Sequence, residues 1–452
     1  MEQTRCFKTF VKYASLNVLG MIALSCYILA DTFFVSKALG ANGLTALNLA
    51  IPIYSFIHGS GLMIGMGGGT KYSILKSQSD KRSANQVFTN AAVLTLSIAA
   101  IFFLLGIFLS GPIARLLGAD DTVYQMSDTY LKVILLFAPM FMLNNLLLCF
   151  VRNDGAPQLS MAAMIVGSLS NVVLDYVFMF PLGMGIFGAA FATGLAPVIS
   201  ILVLSPYFLK KKNQFHLGKY QITKKLSLGI FSSGLPSLIT EVSSGIVIIV
   251  FNGIILSLQG NIGVAAYGVI ANLSLVVMAI YTGIAQGIQP ILSSNFGMGN
   301  LANVRAILRY ALITMAILSV CIYLFVFFGA EQIAAIFNSE QNALLQSIAV
   351  EGLRYYFTAC VFAGFNIILA VYFTSTDYAR PAHVISLLRG FILIIPMAFL
   401  LSAIGKMVGV WCAFPATELL VSIIGAALFF ASKKKREQQL ENLPHPQEAK
   451  AG

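Results

Sequence analysis

The chain has 452 residues, of which 58% are hydrophobic and only 10% are charged. Ordinary soluble domains carry about 25% charged residues, so this composition excludes a soluble globular protein and indicates a polytopic membrane protein. The net charge of +11 does not indicate nucleic-acid binding, because the basic residues lie in short loops between long apolar segments. These segments are continuous and do not alternate at a period of two residues, which favours membrane helices over a β-barrel.

Twelve apolar segments are each long enough to cross a membrane as a helix. The predicted spans are residues 11–36, 44–70, 87–110, 127–150, 159–180, 185–208, 229–258, 264–292, 306–329, 347–375, 382–402 and 408–431. The first span is too long for a signal-peptide core, so we expect it to be retained. The six cysteines have no metal-ligand spacing, so we expect neither disulfides nor a metal site.

The basic residues predict the orientation of the spans. If both termini are cytoplasmic, 22 of the 28 basic residues lie on inner segments and 5 on outer segments. Because Lys and Arg accumulate in cytoplasmic loops, this bias favours cytoplasmic termini.

The second half of the chain resembles the first at an offset near 220 residues. Gly43 corresponds to Gly263 and Gly67 to Gly287, and a polar, lysine-rich loop divides the spans into six plus six. Since six is even, both halves have the same orientation, and a pseudo-two-fold axis along the membrane normal relates them. The predicted domains are an N-terminal lobe (1–208), a basic cytoplasmic linker (209–228), a C-terminal lobe (229–431) and a disordered cytoplasmic tail (432–452).

Two carboxylates fall near the outer ends of spans in the N-terminal lobe, Asp31 in span one and Asp175 in span five. A charged side chain inside a membrane helix costs about 3 kcal/mol and usually has a function. Tyr27 lies four residues before Asp31, and Asn171 lies four residues before Asp175, so each pair shares a helix face. These four residues predict a cation or proton site. The alternative is a structural cluster that is hydrogen-bonded between helices.

The internal repeat favours the functional interpretation. At the offset of 220, Asp31 corresponds to Phe251 and Asp175 lies near Pro396, so neither acid has a counterpart. A purely architectural pair would be expected in both halves.

A second group of polar residues lies in the C-terminal lobe and predicts a substrate site or a second cation site. It contains Glu241 and Glu418 inside spans seven and twelve, Asp377 at the inner end of span ten, and Gln286 and Gln289 in span eight. Glu241 could meet a cationic substrate, or it could form a structural hydrogen bond. Glu418 has the same two interpretations, and Asp377 could pair with a neighbouring arginine at the water boundary.

Two other features of span two have structural interpretations. His58 has no second histidine nearby and is typical of an interhelical hydrogen bond. Gly61, Gly65 and Gly69 are spaced by four, which puts them on one helix face and predicts close helix packing.

Several motifs of this chain resemble those of the MATE (multidrug and toxic compound extrusion) transporter family. The motifs are Asp31-Thr-Phe-Phe-Val with Leu39-Gly and Gly43-Leu-Thr-Ala-Leu, Asn171-Val-Val-Leu-Asp175, Pro236 through Glu241, Gln289-Pro290, and Gly297-Met-Gly-Asn300. The resemblance covers residues 5–435 and looks most like the bacterial MepA-type branch.

The resemblance implies a secondary active multidrug efflux antiporter, not an enzyme, that exports amphipathic and often cationic compounds and can confer antibiotic resistance. It implies exchange for H⁺ or Na⁺, with no other cofactor. In the family, acids matching Asp31 and Asp175 form an N-lobe cation site. In another branch, acids matching Glu241 and Asp377 are used in the C-lobe, so the ion and the site stay open.

The expected partners follow from this resemblance. They are drug-like small molecules, H⁺ or Na⁺ and membrane lipid, with no nucleic acid, and we expect a monomer in a bacterial cell (inner) membrane. No ATP-binding domain is recognisable, so an ion gradient must supply the energy. The alternative function is a flippase or exporter of a lipid-linked or other endogenous metabolite, which would need a cationic cavity for a pyrophosphate.

Overall fold

A computed structural model of the protein describes residues 2–218, 223–338 and 341–441. Helices make up 90% of the residues in these ranges, and no strand occurs in them. The helices are α1 (Glu2–Ser77), α2 (Lys81–Phe108), α3 (Ser110–Leu116), α4 (Tyr124–Leu136), α5 (Ala138–Asn153), α6 (Pro157–Met179), α7 (Gly185–Leu209), α8 (Lys224–Gly297), α9 (Leu301–Phe337), α10 (Ala343–Tyr356), α11 (Cys360–Ser375), α12 (Arg380–Leu387) and α13 (Ile394–Glu441). A 3₁₀ turn (Phe357–Ala359) joins α10 to α11, and a π-helical turn (Leu388–Ile392) lies between α12 and α13.

The three longest helices each contain a backbone break. The breaks lie at Gly40 in α1 (φ 64°, ψ −154°), Gly260 in α8 (φ 61°, ψ −156°) and Lys406 in α13 (φ 47°, ψ −128°). Within the described ranges, up to 9 helical segments are apolar and long enough to cross a membrane, counting the bent pair α4–α5 as one. Three of these contain a break and are long enough for two spans each, which agrees with the twelve predicted spans. The predicted all-α polytopic fold is confirmed.

The chain divides into two compact units. The first contains Tyr13–Val242, and the second contains Met1–Lys12 together with Ser243–Gly452. The boundaries therefore fall inside α1 and α8, whereas the sequence predicts a boundary at the linker 209–228.

The predicted linker is packed into the first unit. Phe215 is 1% exposed, and its ring lies 4.6 Å from that of Phe88 and 5.5 Å from that of Phe150. The backbone N–H of Gln214 donates to Oδ2 of the buried Asp154 at 2.9 Å. These contacts attach the described part of the linker to one lobe; residues 219–222 lie outside the described residues.

Small residues allow α1 to approach its neighbours in the first unit. A Cβ atom at Gly61, Gly65 or Gly69 would lie 2.9, 2.9 or 2.6 Å from atoms of α5, so the predicted packing face is confirmed. On another face of α1, a Cβ atom at Gly67 would lie 2.0 Å from the carbonyl oxygen of Ile230. That contact places the start of α8 in the first unit.

Aromatic side chains fill much of the core of the second unit. Phe251 stacks on Tyr267 with 5.6 Å between ring centroids, and Tyr267 stacks on the fully buried Trp411 at 6.2 Å. The position equivalent to Asp31 is therefore part of an apolar stack in this unit.

The C-terminal helix extends into the segment that we predict to be disordered. α13 continues to Glu441, and residues 442–452 lie outside the described residues.

Candidate functional site

The two acids of the N-terminal lobe lie close together in the first unit. Asp31 is on α1 and is 7% exposed, and Asp175 is on α6 and is fully buried. Their charges are near enough to interact electrostatically. The Oδ1 atom of each carboxyl group accepts no hydrogen bond from any described residue. This arrangement differs from an ordinary structural acid, whose oxygens are satisfied by donors.

Asp175 is held by neighbours on α6 and α7. With its amide oriented to satisfy the hydrogen-bond network, Asn171 donates from Nδ2 to Asp175 Oδ2 at 3.0 Å. Its oxygen then accepts the backbone N–H of Thr193 on α7 at 3.2 Å. The helices come close because a Cβ atom at Gly167 would lie only 3.1 Å from the Ala196 carbonyl oxygen. One carboxyl oxygen is thus positioned by the protein, and the other accepts no hydrogen bond from a described residue.

Three tyrosines surround the acids, and only Tyr27 was predicted from the sequence. The hydroxyl groups of Tyr27 and Tyr54, both on α1, share a hydrogen bond of 2.9 Å in which either can be the donor. Tyr130 of α4 lies beside Thr193, within electrostatic range of both carboxyl groups. These hydroxyl groups can donate to a charged acid or to one another.

A second polar group follows along α1. The ring of Tyr54 stacks on that of His58, with 5.7 Å between centroids and 13° between planes. Nδ1 of His58 lies 3.4 Å from Oε2 of Glu241 on α8, and these side chains are 14% and 30% exposed. Tyr54 is within electrostatic range of both Asp31 and Glu241. We call Tyr27, Tyr54 and His58, which connect Asp31 to Glu241, the polar chain.

Glu418 belongs to a different kind of site, in the second unit. It is 1% exposed and forms an ion pair with Arg389, whose Nη2 lies 2.8 Å from Oε1. Arg389 Nε donates to Oε1 and Oε2 at 2.9 and 3.0 Å, and Asn366 Nδ2 donates to Oε2 at 2.7 Å. Arg389 lies in the π-helical turn between α12 and α13. Charge and hydrogen bonds are both satisfied, which is typical of a structural group.

The remaining predicted residues also lie in the second unit. Gln286 and Gln289 are buried on α8, and Gln289 donates to Ser293 Oγ within the same helix at 3.2 Å. Asp377 is exposed after the end of α11, at a φ of 54°. Asp377 is exposed, whereas Glu418 is buried. The residues of the predicted second group thus lie in different environments.

Sequence reasoning missed Tyr54, Tyr130, Thr193 and the role of Arg389. Tyr54 precedes His58 by four residues, and this helical spacing could have indicated the stacked pair. Thr193 is a single polar residue in an apolar stretch of α7, and Tyr130 lies among several polar residues of α4, so no local pattern marks either one.

Comparison with known proteins gives a consistent assignment over most of the chain. Residues 18–177 and 236–400 match the family model described as MatE. The chain is 26% identical over 431 residues to a protein of Staphylococcus saprophyticus named multidrug export protein MepA, covering 95% of this chain and 94% of that protein. It is 24% identical over 435 residues to the protein of the same name from Staphylococcus aureus, with the same coverage.

Solved structures share the fold. One is described as the outward-facing conformation of a multidrug resistance MATE family transporter of the MOP superfamily, and it has a TM-score of 0.88 at 22% identity. Another is a MOP superfamily transporter from Pyrococcus furiosus whose description reports reverse polarity of the binding pocket, with a TM-score of 0.87 at 22% identity. Each comparison covers 96% of both chains.

Proposed function

Because the chain belongs to the MatE family, we propose that it is a secondary active multidrug exporter. It exports amphipathic, mainly cationic, drug-like compounds and takes up H⁺ or Na⁺ in exchange. The proteins named MepA, which align with nearly the whole chain, support export of several drugs. The protein works as a monomer in a bacterial cell membrane with cytoplasmic termini, as the bias in basic residues indicates.

The observation that carries this proposal is the pair of buried carboxyl groups at Asp31 and Asp175. Neither forms an ion pair with a described residue, and each has one oxygen without a donor. Two buried carboxylates near each other repel, and a proton or a small cation removes that repulsion. Oxygen donors are also the ligands that hard cations such as Na⁺ prefer. The pair therefore supports a binding site for the coupling ion.

Because the pair is charged, it can couple the protein to an ion gradient. One elementary charge that moves through 100 mV changes the free energy by about 2.3 kcal/mol. Since Asp31 is on α1 and Asp175 on α6, a bound ion is shared by two separate helices and lowers the negative charge between them. Ion binding can then favour one arrangement of α1 relative to α6 over another. A ligand shifts the populations of two conformations only if it binds one of them better.

The polar chain supports Glu241 as the group that contacts the exported compound. Glu241 is partly exposed and already faces an imidazole ring, so an incoming organic cation can replace His58 as its partner. Tyr54 interacts with both Asp31 and Glu241, which connects ion binding to the substrate side of the first unit. The ion and the substrate are exchanged for one another if each binds better to a different conformation of the polar chain.

The proposal can be tested by efflux of an ethidium-like dye from proteoliposomes. A proton gradient and a sodium gradient are imposed in separate experiments, in wild type and in the Asp31→Asn variant. We expect one gradient to drive efflux in wild type and the variant to lose at least about tenfold of the rate, because its neutral side chain cannot exchange a charge. Asp121→Asn, in an exposed ion pair with Arg115, is the matched control and keeps the wild-type rate.

Two results would contradict the proposal. One is dye efflux that is unchanged in Asp31→Asn under either gradient. The other is gradient-dependent movement of a lipid-linked pyrophosphate without movement of any dye, which is the behaviour of a flippase. Such a substrate needs a cavity lined by positive charge, whereas the buried Arg389 is neutralised by Glu418 and the buried Arg152 donates to Asn17 Oδ1 at 2.6 Å.

A further inference from the structure

A cavity of about 840 Å³ lies between the end of α9 and the start of α10, within the second unit. Sites for small molecules commonly have volumes of about 300 to 1,000 Å³. Its walls include two carboxylates, one guanidinium group and three aromatic rings. These belong to Glu331, Glu351, Arg354, Tyr323, Phe327 and Tyr355. None of them belongs to the ion site or to the polar chain.

The sequence places this cavity at the boundary between membrane and water. Residues 310–330 of α9 contain no charged residue, and Glu331 follows directly. Residues 355–376 contain none either, and Arg354 precedes them directly. Each stretch has the length of a membrane span, about 20 residues. The charged groups therefore mark the polar end of the cavity, and the rings of Tyr323 and Phe327 lie toward its apolar end.

Contacts between α9 and α10 hold the walls in place. The guanidinium group of Arg354 lies 5.4 Å from the centroid of the Phe327 ring, and its Nη2 is 3.4 Å from Glu331 Oε1. Gln346 Nε2 donates to the carbonyl oxygen of Glu331 at 2.9 Å, and Gln346 Oε1 accepts a hydrogen bond from Asn338 Nδ2 at 3.2 Å. These contacts hold the side chains of the cavity in place before a ligand binds. The free-energy cost of ordering them on binding is therefore lower.

The charges of the cavity favour a ligand that carries both signs. Arg354 pairs with Glu331, so Glu351, three residues earlier on α10, is not neutralised by it. An ammonium group is stabilised by a carboxylate and by aromatic faces. A phosphate is stabilised by a guanidinium group. A cavity with both, next to apolar rings at a membrane boundary, matches the polar end of a lipid.

We propose that this cavity binds the headgroup of a phospholipid that carries an ammonium group as well as a phosphate. The ammonium group contacts Glu351 and the aromatic rings, and the phosphate contacts Arg354 in place of Glu331. The acyl chains follow the apolar surface of α9 and α10. Phosphatidylethanolamine satisfies this chemistry, whereas phosphatidylglycerol has the phosphate but no ammonium group.

The test is lipid retention by the purified full-length protein, measured by native mass spectrometry. Phosphatidylethanolamine and phosphatidylglycerol with identical acyl chains are added separately after delipidation. We expect wild type to prefer phosphatidylethanolamine and Glu351→Gln to lose about tenfold of that preference, since one charge-assisted contact disappears. Glu331→Gln gives an opposite result, because it releases Arg354 and increases retention of phosphatidylglycerol.

The matched control is Arg115→Gln in the first unit. Arg115 also lies over a ring, 4.1 Å from the centroid of Tyr124, and pairs with Asp121 at 2.6 Å. Its loss should leave lipid preference unchanged. Equal retention of both lipids by wild type, or an unchanged preference in a folded Glu351→Gln, overturns the proposal. Binding of tetraphenylphosphonium that depends on Glu351, without any preference between lipids, also overturns it and assigns the cavity to drugs.

Discussion

The two halves of the repeat have similar backbone breaks, but their buried acids differ in whether they have a cationic partner. The helix breaks at Gly40 and Gly260 are 220 residues apart and have nearly the same dihedral angles. The first half buries the pair Asp31 and Asp175 without a cationic partner among the described residues, whereas the second buries Glu418 against Arg389. The repeat therefore preserves architecture, while buried acids without a cationic partner occur, among the described residues, in the first half only. That difference is what we expect between the proposed ion site and a structural ion pair.

The position equivalent to Asp31 shows the same contrast. Phe251 is 1% exposed and stacks on Tyr267. Inside a membrane helix bundle an aromatic ring is stabilised by packing, and a stacked aromatic pair contributes about 0.5 to 1.5 kcal/mol. A carboxylate there gives up that stabilisation and adds a desolvation cost. The first half keeps an acid at a position where its repeat shows that an apolar residue fits.

The largest effect that tests this comparison is on stability. Arg389→Gln leaves Glu418 buried without a cation, so we expect a loss of about 3 to 5 kcal/mol in the free energy of unfolding. The double variant Arg389→Gln with Glu418→Gln should recover most of it. Thermal denaturation in detergent measures both.

Asp31→Asn is the matched variant of the first half. It removes a charge that has no protein partner, so the melting temperature should stay the same or rise. If Asp31→Asn destabilises as much as Arg389→Gln does, the two acids have the same structural role and the comparison fails.

A smaller effect concerns the polar chain. Tyr54→Phe keeps the ring on His58 but removes the hydroxyl group shared with Tyr27. We expect drug affinity measured without the coupling ion to stay near the wild-type value. The change in affinity when the ion is added should fall about fivefold, within the usual range of 1 to 3 kcal/mol for coupling between sites.

His58→Gln should reduce the same coupling, because it breaks the contact with Glu241. Thr45→Val, on the exposed part of α1, is the control, since its hydroxyl group only donates to the Ala41 carbonyl oxygen of its own helix. If both polar-chain variants retain full coupling, Asp31 and Glu241 act independently.

The sequence predicted the parts of this arrangement that depend on spacing along one helix. The depth of Asp31 and Asp175, and the glycine face of α1, follow from periodicity. The pairing of Arg389 with Glu418 does not, because the two residues lie 29 positions apart. The π-helical turn that contains Arg389 is a local departure from regular helix, with no marker in the sequence. Contacts between helices depend on packing, which a single sequence does not encode locally.

The two compact units and the predicted domains are divided at different residues, and packing again accounts for the difference. A charged, polar loop usually separates domains, and this predicted a linker at 209–228. Phe215 instead fills a ring cluster of the first unit, and Gly67 brings the start of α8 against α1. Phe215, an aromatic residue in a basic loop, is a sign in the sequence of that attachment.

The smallest effect tests the shared backbone itself. Ser79 has a φ of 65° before the α2 cap Asp80, and Gly299 has a φ of 71° before the α9 cap Asn300. A residue with a Cβ atom costs about 1 kcal/mol in this left-handed region, and glycine does not. Ser79→Gly should therefore stabilise the first unit by up to about 1 kcal/mol, and Gly299→Ser should destabilise the second by a similar amount. Thermal denaturation checks both; shifts of the same sign would show that the two turns are not equivalent.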